Sequence, residues 1–366
     1  MSNPSMAANR QWSSRPADER FLSIDAMLAD VIEQQKRSAA KVISSRELTF
    51  APSGDDHKGL TVSGKAGVPF APTHHAFNQL CQLAGAPAGY LRELPSELAA
   101  DNLNYGFQVS RDVADVGLLL ERNGSNMVRA ATGPNYGRIW DSELIGAVRS
   151  HFGNGFDGRW HIPGEFNAKV SAETMTKEKT TLYRGDRDCW LFLCDGANDI
   201  EIPNRRHGQP GKLQRGFFAG NSEVGGGSLF GGFFVYDFMC CNHIIWGMDG
   251  FEEIRIRHTK GAPDRWIEEL LPVLQAYANS DTRNIKEAIA TARSQRLEAM
   301  TDKFLANRFG PKLAAKLDAV HVAEEGRPME TVWDAATAAT AYARALPFIG
   351  DRVAIEREAG KLLIAA

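Results

Sequence analysis

The sequence predicts an α+β protein, with a mixed or antiparallel sheet body followed by a helical C-terminal region. Three observations carry this. Residues 217–247 combine aromatic and β-branched side chains with glycine breaks, the composition of a central sheet. Asn123-Gly124 sits between two apolar runs, the strongest short hairpin signal. From Asp264 onward the chain is rich in Ala, Glu, Lys and Arg, punctuated by Gly310-Pro311 and Gly326-Arg327-Pro328, a pattern of successive helices. The expected organisation is a disordered polar tail over 1–20, an α+β body over 21–262 and a helical region over 263–366.

Each element follows from local chemistry. Ile24, Met27, Leu28, Val31 and Ile32 recur at helical spacing, with Asp25 at the start and Lys36-Arg37 at the end to suit the helix dipole. Val42-Ile43, Leu48-Thr49-Phe50 and Leu60-Thr61-Val62 supply short strands around a Gly/Asp loop. Thr73 opens a helix that Gly85-Ala86-Pro87 ends, a short helix follows near Pro87, and Pro95 opens a third. Val116–Leu120 and Met127–Ala131 form the hairpin, and Asp141 enters a helix that ends near His151. Strands are expected at 167–175 and 188–194, then a Pro/Gly/Arg loop at 202–216. Strands at 217–221, 226–232, 233–239 and 242–248 follow. Residues 251–260 alternate as a half-exposed strand, and helices are expected at 264–279, 281–305, 311–323 and 331–345.

With 366 residues, 43% hydrophobic and 24% charged, the chain can bury a core without disulfide or metal staples. Forty-two Lys and Arg against 45 Asp and Glu give a net charge of −3, which excludes a uniformly basic body but not a local basic face. Cys81, Cys189, Cys194, Cys240 and Cys241 have no framework spacing. The polar N-terminus has no apolar signal core, and the run from Gly231 to Cys241 is broken by Asp237, so a cytoplasmic protein without a membrane partner is expected.

The glycine cluster Gly220 to Ser228 lacks the Lys-Ser/Thr pair of a phosphate-binding loop and the spacing of a dinucleotide fingerprint. Adjacent Cys240 and Cys241 point opposite ways on a strand and cannot share one ion well. No cofactor and no metal are expected. Asn221, Ser222, Glu223 and Asp237 are polar groups in an apolar region; they form either a catalytic cluster or turn caps and arginine partners. Arg205, Arg206, Lys212 and Arg215 stand in a stretch without acids, and Arg255, Arg257 and Lys260 form a second basic stretch. Arginines neutralise phosphates, so these seven are the candidate nucleic-acid contacts. The phenylalanines between them, Phe217, Phe218, Phe230, Phe233 and Phe234, read as core.

The run Asn221-Ser222-Glu223-Val224-Gly225, then Ser228-Leu229, then Phe233-Phe234-Val235-Tyr236, then Cys240-Cys241-Asn242-His243 resembles the "phage/plasmid-like protein" family of mobile elements. His243 stands where that family usually has glycine. The stretch Thr331 to Ala343 and the tail from Asp351 to Leu363 are similar to the family's closing segments. The resemblance gives Asn221, Ser222, Glu223, Gly225, Ser228 and Asn242 as family motif positions, with no catalytic role attached. It implies a mobile-element context of DNA replication, recombination or defence. Together with the basic stretches, it leads to the expectation of a single-stranded DNA-binding or annealing protein acting as a homo-oligomer. An enzyme built on the polar cluster and an interaction protein that blocks host defence are the alternatives.

Overall fold

The computed structural model describes residues 15–53, 59–65, 67–109, 114–163, 171–238, 243–244, 252–299, 303–346 and 349–364, together with positions 4, 7, 8 and 11. The chain begins with α1 (Ile24–Arg37), β1 (Ser38–Ser44), β2 (Thr49–Pro52), β3 (Leu60–Ser63), β4 (Ala71–Pro72), α2 (His74–Leu83), α3 (Ala88–Glu93) and α4 (Ser96–Val109). It continues with β5 (Asp115–Asn123), β6 (Ser125–Thr132), α5 (Asp141–Phe152), β7 (Trp160–His161), β8 (Leu182–Arg184), β9 (Cys189–Asp195), β10 (Ile200–Ile202), β11 (Gly211–Asn221) and β12 (Leu229–Asp237). It closes with β13 (His243–Ile244), β14 (Ile254–Ile256), α6 (Ala262–Asn279), α7 (Arg283–Ser294), α8 (Phe304–Phe309), α9 (Pro311–Glu325), α10 (Val332–Arg344) and α11 (Ile349–Ile364). This is an α+β fold with mixed sheets. No helix among the described residues is long and apolar enough to cross a membrane.

Side-chain caps and a glycine turn set the local structure. Ser23 caps α1 by accepting from the Ala26 N–H, and Thr73 caps α2 by accepting from Ala76. Gly124, at φ +69°, turns the β5–β6 hairpin in a backbone region that glycine enters freely. The four-stranded sheet runs β1-β5-β6-β4, with β4 parallel to β6. Its apolar face packs Val116, Leu118 and Val128 against Leu80 of α2, Leu91 of α3 and Leu103 and Phe107 of α4.

The larger sheet centres on β11, which pairs antiparallel with β12 on one side and with β9 and β10 on the other. Alternation along these strands divides the chemistry. Phe217, Leu229 and Phe233 join Leu191 and Leu193 to pack against α1, α5 and α6. Phe218, Phe230, Phe234 and Tyr236 lie on the opposite face with Trp190 and Phe192, all buried. Leu213 and Val235 join Ile200 and Ile202 of β10 to meet α7, α9, α10 and α11 around Trp333. The expected boundary at 262 therefore falls at the start of α6, yet it divides no core: Trp266, Leu270 and Leu274 of α6 belong to the core of the sheet.

Several expectations are corrected. The loop expected at 202–216 shrinks, because β11 begins at Gly211 and carries Lys212, Gln214 and Arg215 into the sheet. Residues 171–175 hold turns, and 164–170 lie outside the described residues. The helix expected at 281–305 stops at Ser294, where Arg296 bridges to Thr331 and the Leu297 N–H bonds to the Glu330 carbonyl. The strand expected at 226–232 starts only at Leu229. Cys240, Cys241, Asn242 and Trp246 lie outside the described residues, as does most of the tail over 1–20.

Candidate functional site

The motif segment Asn221 to Ser228 links β11 to β12, and its buried half is a clasp between the two sheets. Asn221 Nδ2 donates to the Ile139 carbonyl and to Asp141 Oδ1, both at 2.8 Å. Glu223 accepts from Arg129 of β6 and from the Asp141 backbone N–H at 3.0 Å. The Val224 carbonyl accepts from Gln79 Nε2 at 2.8 Å and lies 3.2 Å from His75 Nε2, both on α2. Tyr136 Oη donates to the Ser222 carbonyl at 2.6 Å, and Arg138 donates to the Glu223 carbonyl. Arg129 also faces Glu121 at 3.4 Å. Nearby, Gly137 is indispensable: a Cβ there would strike the Thr259 carbonyl. That close approach sets His258 in a stack on Tyr136, ring centroids 4.8 Å apart.

Asn221, Ser222 and Glu223 come together; Asp237 does not join them. Gly220 pairs with Phe230 while Leu213 pairs with Asp237, so Asp237 lies at the far end of the β11–β12 hairpin. Seven residue steps along a strand amount to roughly 23 Å. The four-residue catalytic cluster is therefore corrected to two separate structural networks.

Asp237 belongs to the second network, which also claims two of the candidate DNA contacts. Arg205 Nη1 donates to Asp237 Oδ2 at 2.8 Å, and Arg205 Nη2 donates to Glu325 Oε1 at 2.8 Å; all three side chains are buried. The Arg205 guanidinium also lies over the Trp333 ring. Arg215 is fully buried; its Nε donates to Asp195 Oδ2 at 2.9 Å and its Nη2 to the Ala278 and Ser280 carbonyls. It thereby satisfies carbonyls that the end of α6 leaves without partners. Arg205 and Arg215 are thus corrected from phosphate contacts to internal ties. Lys212 is half-exposed and paired with Asp199 at 2.5 Å, and Arg206 lies in the short turn Arg206–Gly208.

The second basic stretch remains at the surface. Arg255 lies on the edge strand β14 and Arg257 just past its end; both are exposed, and Lys260 follows, also exposed. Arg255 Nε donates to Ser228 Oγ at 3.1 Å, which joins this strand to the exposed Gly226 and Gly227. On the other side of the glycines stands exposed Arg187, whose carbonyl accepts from Ser222 Oγ. A glycine loop flanked by arginines results: Arg187 on one side, Arg255, Arg257 and Lys260 on the other. Sequence reading missed Arg187 because Asp186 and Asp188 on either side cancel its charge on paper.

The buried carboxyls set the acid–base behaviour. Burial raises Asp195, but hydrogen bonds from Arg159, Asn198 and Arg215 outweigh it and bring the carboxyl down to about 2. Burial, and next the adjacent Glu223, raise Asp141 to about 7. The two act with opposite signs on stability. Asp195 stabilises the fold above its unfolded value of 3.8, and that stabilisation is lost as pH falls toward about 2. Asp141 keeps a proton that the unfolded chain has released, so stability declines as pH rises from about 4 to about 7. In denaturant melts across pH, Asp141→Asn is expected to flatten this decline and leave the acid-side fall in place. An unchanged slope between about pH 4 and about pH 7 would assign the decline to another group.

Among the described residues, no group of three or more His, Cys, Asp or Glu could hold a metal ion. Cys81, Cys189 and Cys194 are buried, and burial pushes their thiols up, away from the reactive thiolate. Comparison with protein-family models, with curated proteins and with solved structures finds no match.

Proposed function

We propose that the protein binds single-stranded DNA along the surface formed by Arg187, the Gly226-Gly227 loop, Arg255, Arg257 and Lys260, in the cytoplasm of a host carrying a phage or plasmid. The carrying observation is the exposed glycine loop held between Arg187 of the β8–β9 turn and Arg255 of β14. Glycines let a phosphate backbone come close, and the flanking guanidiniums neutralise it. The resemblance to the phage/plasmid-like family supplies the context of recombination or replication. One chain offers a short cationic track, so homo-oligomerisation that repeats it supports holding a strand extended for annealing.

The test is fluorescence anisotropy with a labelled oligothymidylate across a salt series, comparing the parent chain with Arg255→Glu/Arg257→Glu. If both arginines contact phosphate, losing them lowers the salt slope of log K by about 1.4 and weakens binding at every salt concentration. Lys212→Glu is expected to change little. Binding indifferent to salt and to the double reversal removes this surface from the proposal. Light scattering with and without the oligonucleotide tests the oligomer; a strict monomer in both removes the annealing role.

A further inference from the structure

A groove of about 760 Å³ runs between β10 and α7. It touches every residue from Asp199 to Pro203. Because side chains alternate along a strand, contact with successive residues means that the groove follows the strand's edge rather than one face. β10 pairs with β11 on its inner side, and among the described residues no strand pairs with its outer edge. On the helix wall, Lys286, Ala290 and Arg293 fall at i, i+4 and i+7, one stripe facing the groove. Ile200, Ile202 and Ile289 give it an apolar floor, as members of the core beneath.

The charges in the groove are unequally used. Asp199 is occupied by Lys212 and by Gln214. Lys286 and Arg293 have no hydrogen-bond or ion-pair partner among the described residues. Arg293 is half-buried, and this burial lowers its guanidinium below the ordinary value. Asp334 and Glu325 attract it only at a distance, without a hydrogen bond or close ion pair, and a partly desolvated guanidinium gains more from a directly bonded carboxylate than an exposed one does.

We propose that the groove between β10 and α7 docks an extended, acidic segment of a protein partner, which adds as a strand to the free edge of β10. Main-chain hydrogen bonds to β10 supply the pairing, and alternate side chains of the segment settle on the isoleucine floor. Lys286 and Arg293 are seven residues apart, about 10 Å along the helix, so they take carboxylates two to four residues apart on an extended chain. Polynucleotide fits less well: Glu201 lines the same groove and repels a backbone that carries a charge at every unit. A peptide places a neutral or basic residue there. The site is separate from the Arg255 surface and does not depend on it.

Panning the full chain against a displayed random octapeptide library tests the proposal. Selected peptides are expected to carry Asp or Glu at spaced positions between β-branched residues. Resynthesised with a fluorophore, they are expected to lose at least about tenfold in affinity against Lys286→Glu/Arg293→Glu, the loss of about 1.4 kcal/mol that a charge-assisted contact carries. Ala290→Trp, which fills the groove without changing charge, is expected to block them as well. Both changes are at exposed or half-exposed positions, and near-UV circular dichroism checks that each variant keeps its fold. No selection for acidic residues, or equal affinity for the charge-reversed chain, overturns the proposal. Displacement of the peptide by an oligothymidylate also overturns it, by making the groove a nucleic-acid site.

Discussion

Arg205→Ala is expected to destabilise the protein by about 3–5 kcal/mol, the range for removing one member of a buried ion pair. The guanidinium stands between Asp237 at the end of β12 and Glu325 at the end of α9, and all three side chains are buried. Without it, two carboxylates from different parts of the chain lie buried with their shared cation gone. The Trp333 ring also loses the cation above it. Chemical denaturation followed by both tryptophan fluorescence and far-UV circular dichroism measures the loss. A change below about 1 kcal/mol, of the size typical for exposed pairs, would return Arg205 to the surface. DNA binding per folded molecule is expected to stay unchanged, which separates this arginine from Arg255 and Arg257.

Phe217→Ala is expected to cost a similar amount, about 3–5 kcal/mol, for a different reason. Phe217 is fully buried on the central strand, with Phe152 at 4.6 Å and Trp160 at 5.1 Å between ring centroids. Its removal leaves a cavity between β11 and α5 that close-packed neighbours fill only partly. Phe217→Leu keeps most of the volume and is expected to recover more than half of the loss. Equal melting of the Ala and Leu variants would mean that the site collapses freely.

Signals that act within a few residues were legible in the sequence. The Thr73 cap, the Asn123-Gly124 turn and the apolar stripe of α1 each rest on neighbours at most one or two turns away. The charged residues were harder, because their meaning lies in distant partners. Arg205 meets Glu325 120 residues later, and Arg215 meets the end of α6 some 65 residues later. A run of basic residues without acids looks like a solvated loop until those partners are in place. The same gap explains the misread start of β11, where Gln214 and Arg215 are buried by partners from β10's approach and from α6. Asn221, Ser222 and Glu223 are adjacent in the chain, whereas Asp237 was grouped with them only because both are polar islands in apolar sequence.

The Arg205 tie also governs how the chain comes apart. Helices α7, α9, α10 and α11 cover Ile200, Ile202, Leu213 and Val235, which are side chains of the central sheet itself. Lifting those helices exposes that apolar strand surface and also pulls Glu325 off a guanidinium that Asp237 still holds. Partial opening therefore breaks the Arg205–Glu325 hydrogen bonds and uncovers that apolar strand surface, which raises its free energy toward that of global unfolding. The C-terminal helices and the central strands behave as one foldon, and a proteolytic nick in the linkers among those helices leaves the fragments associated rather than releasing a separable body.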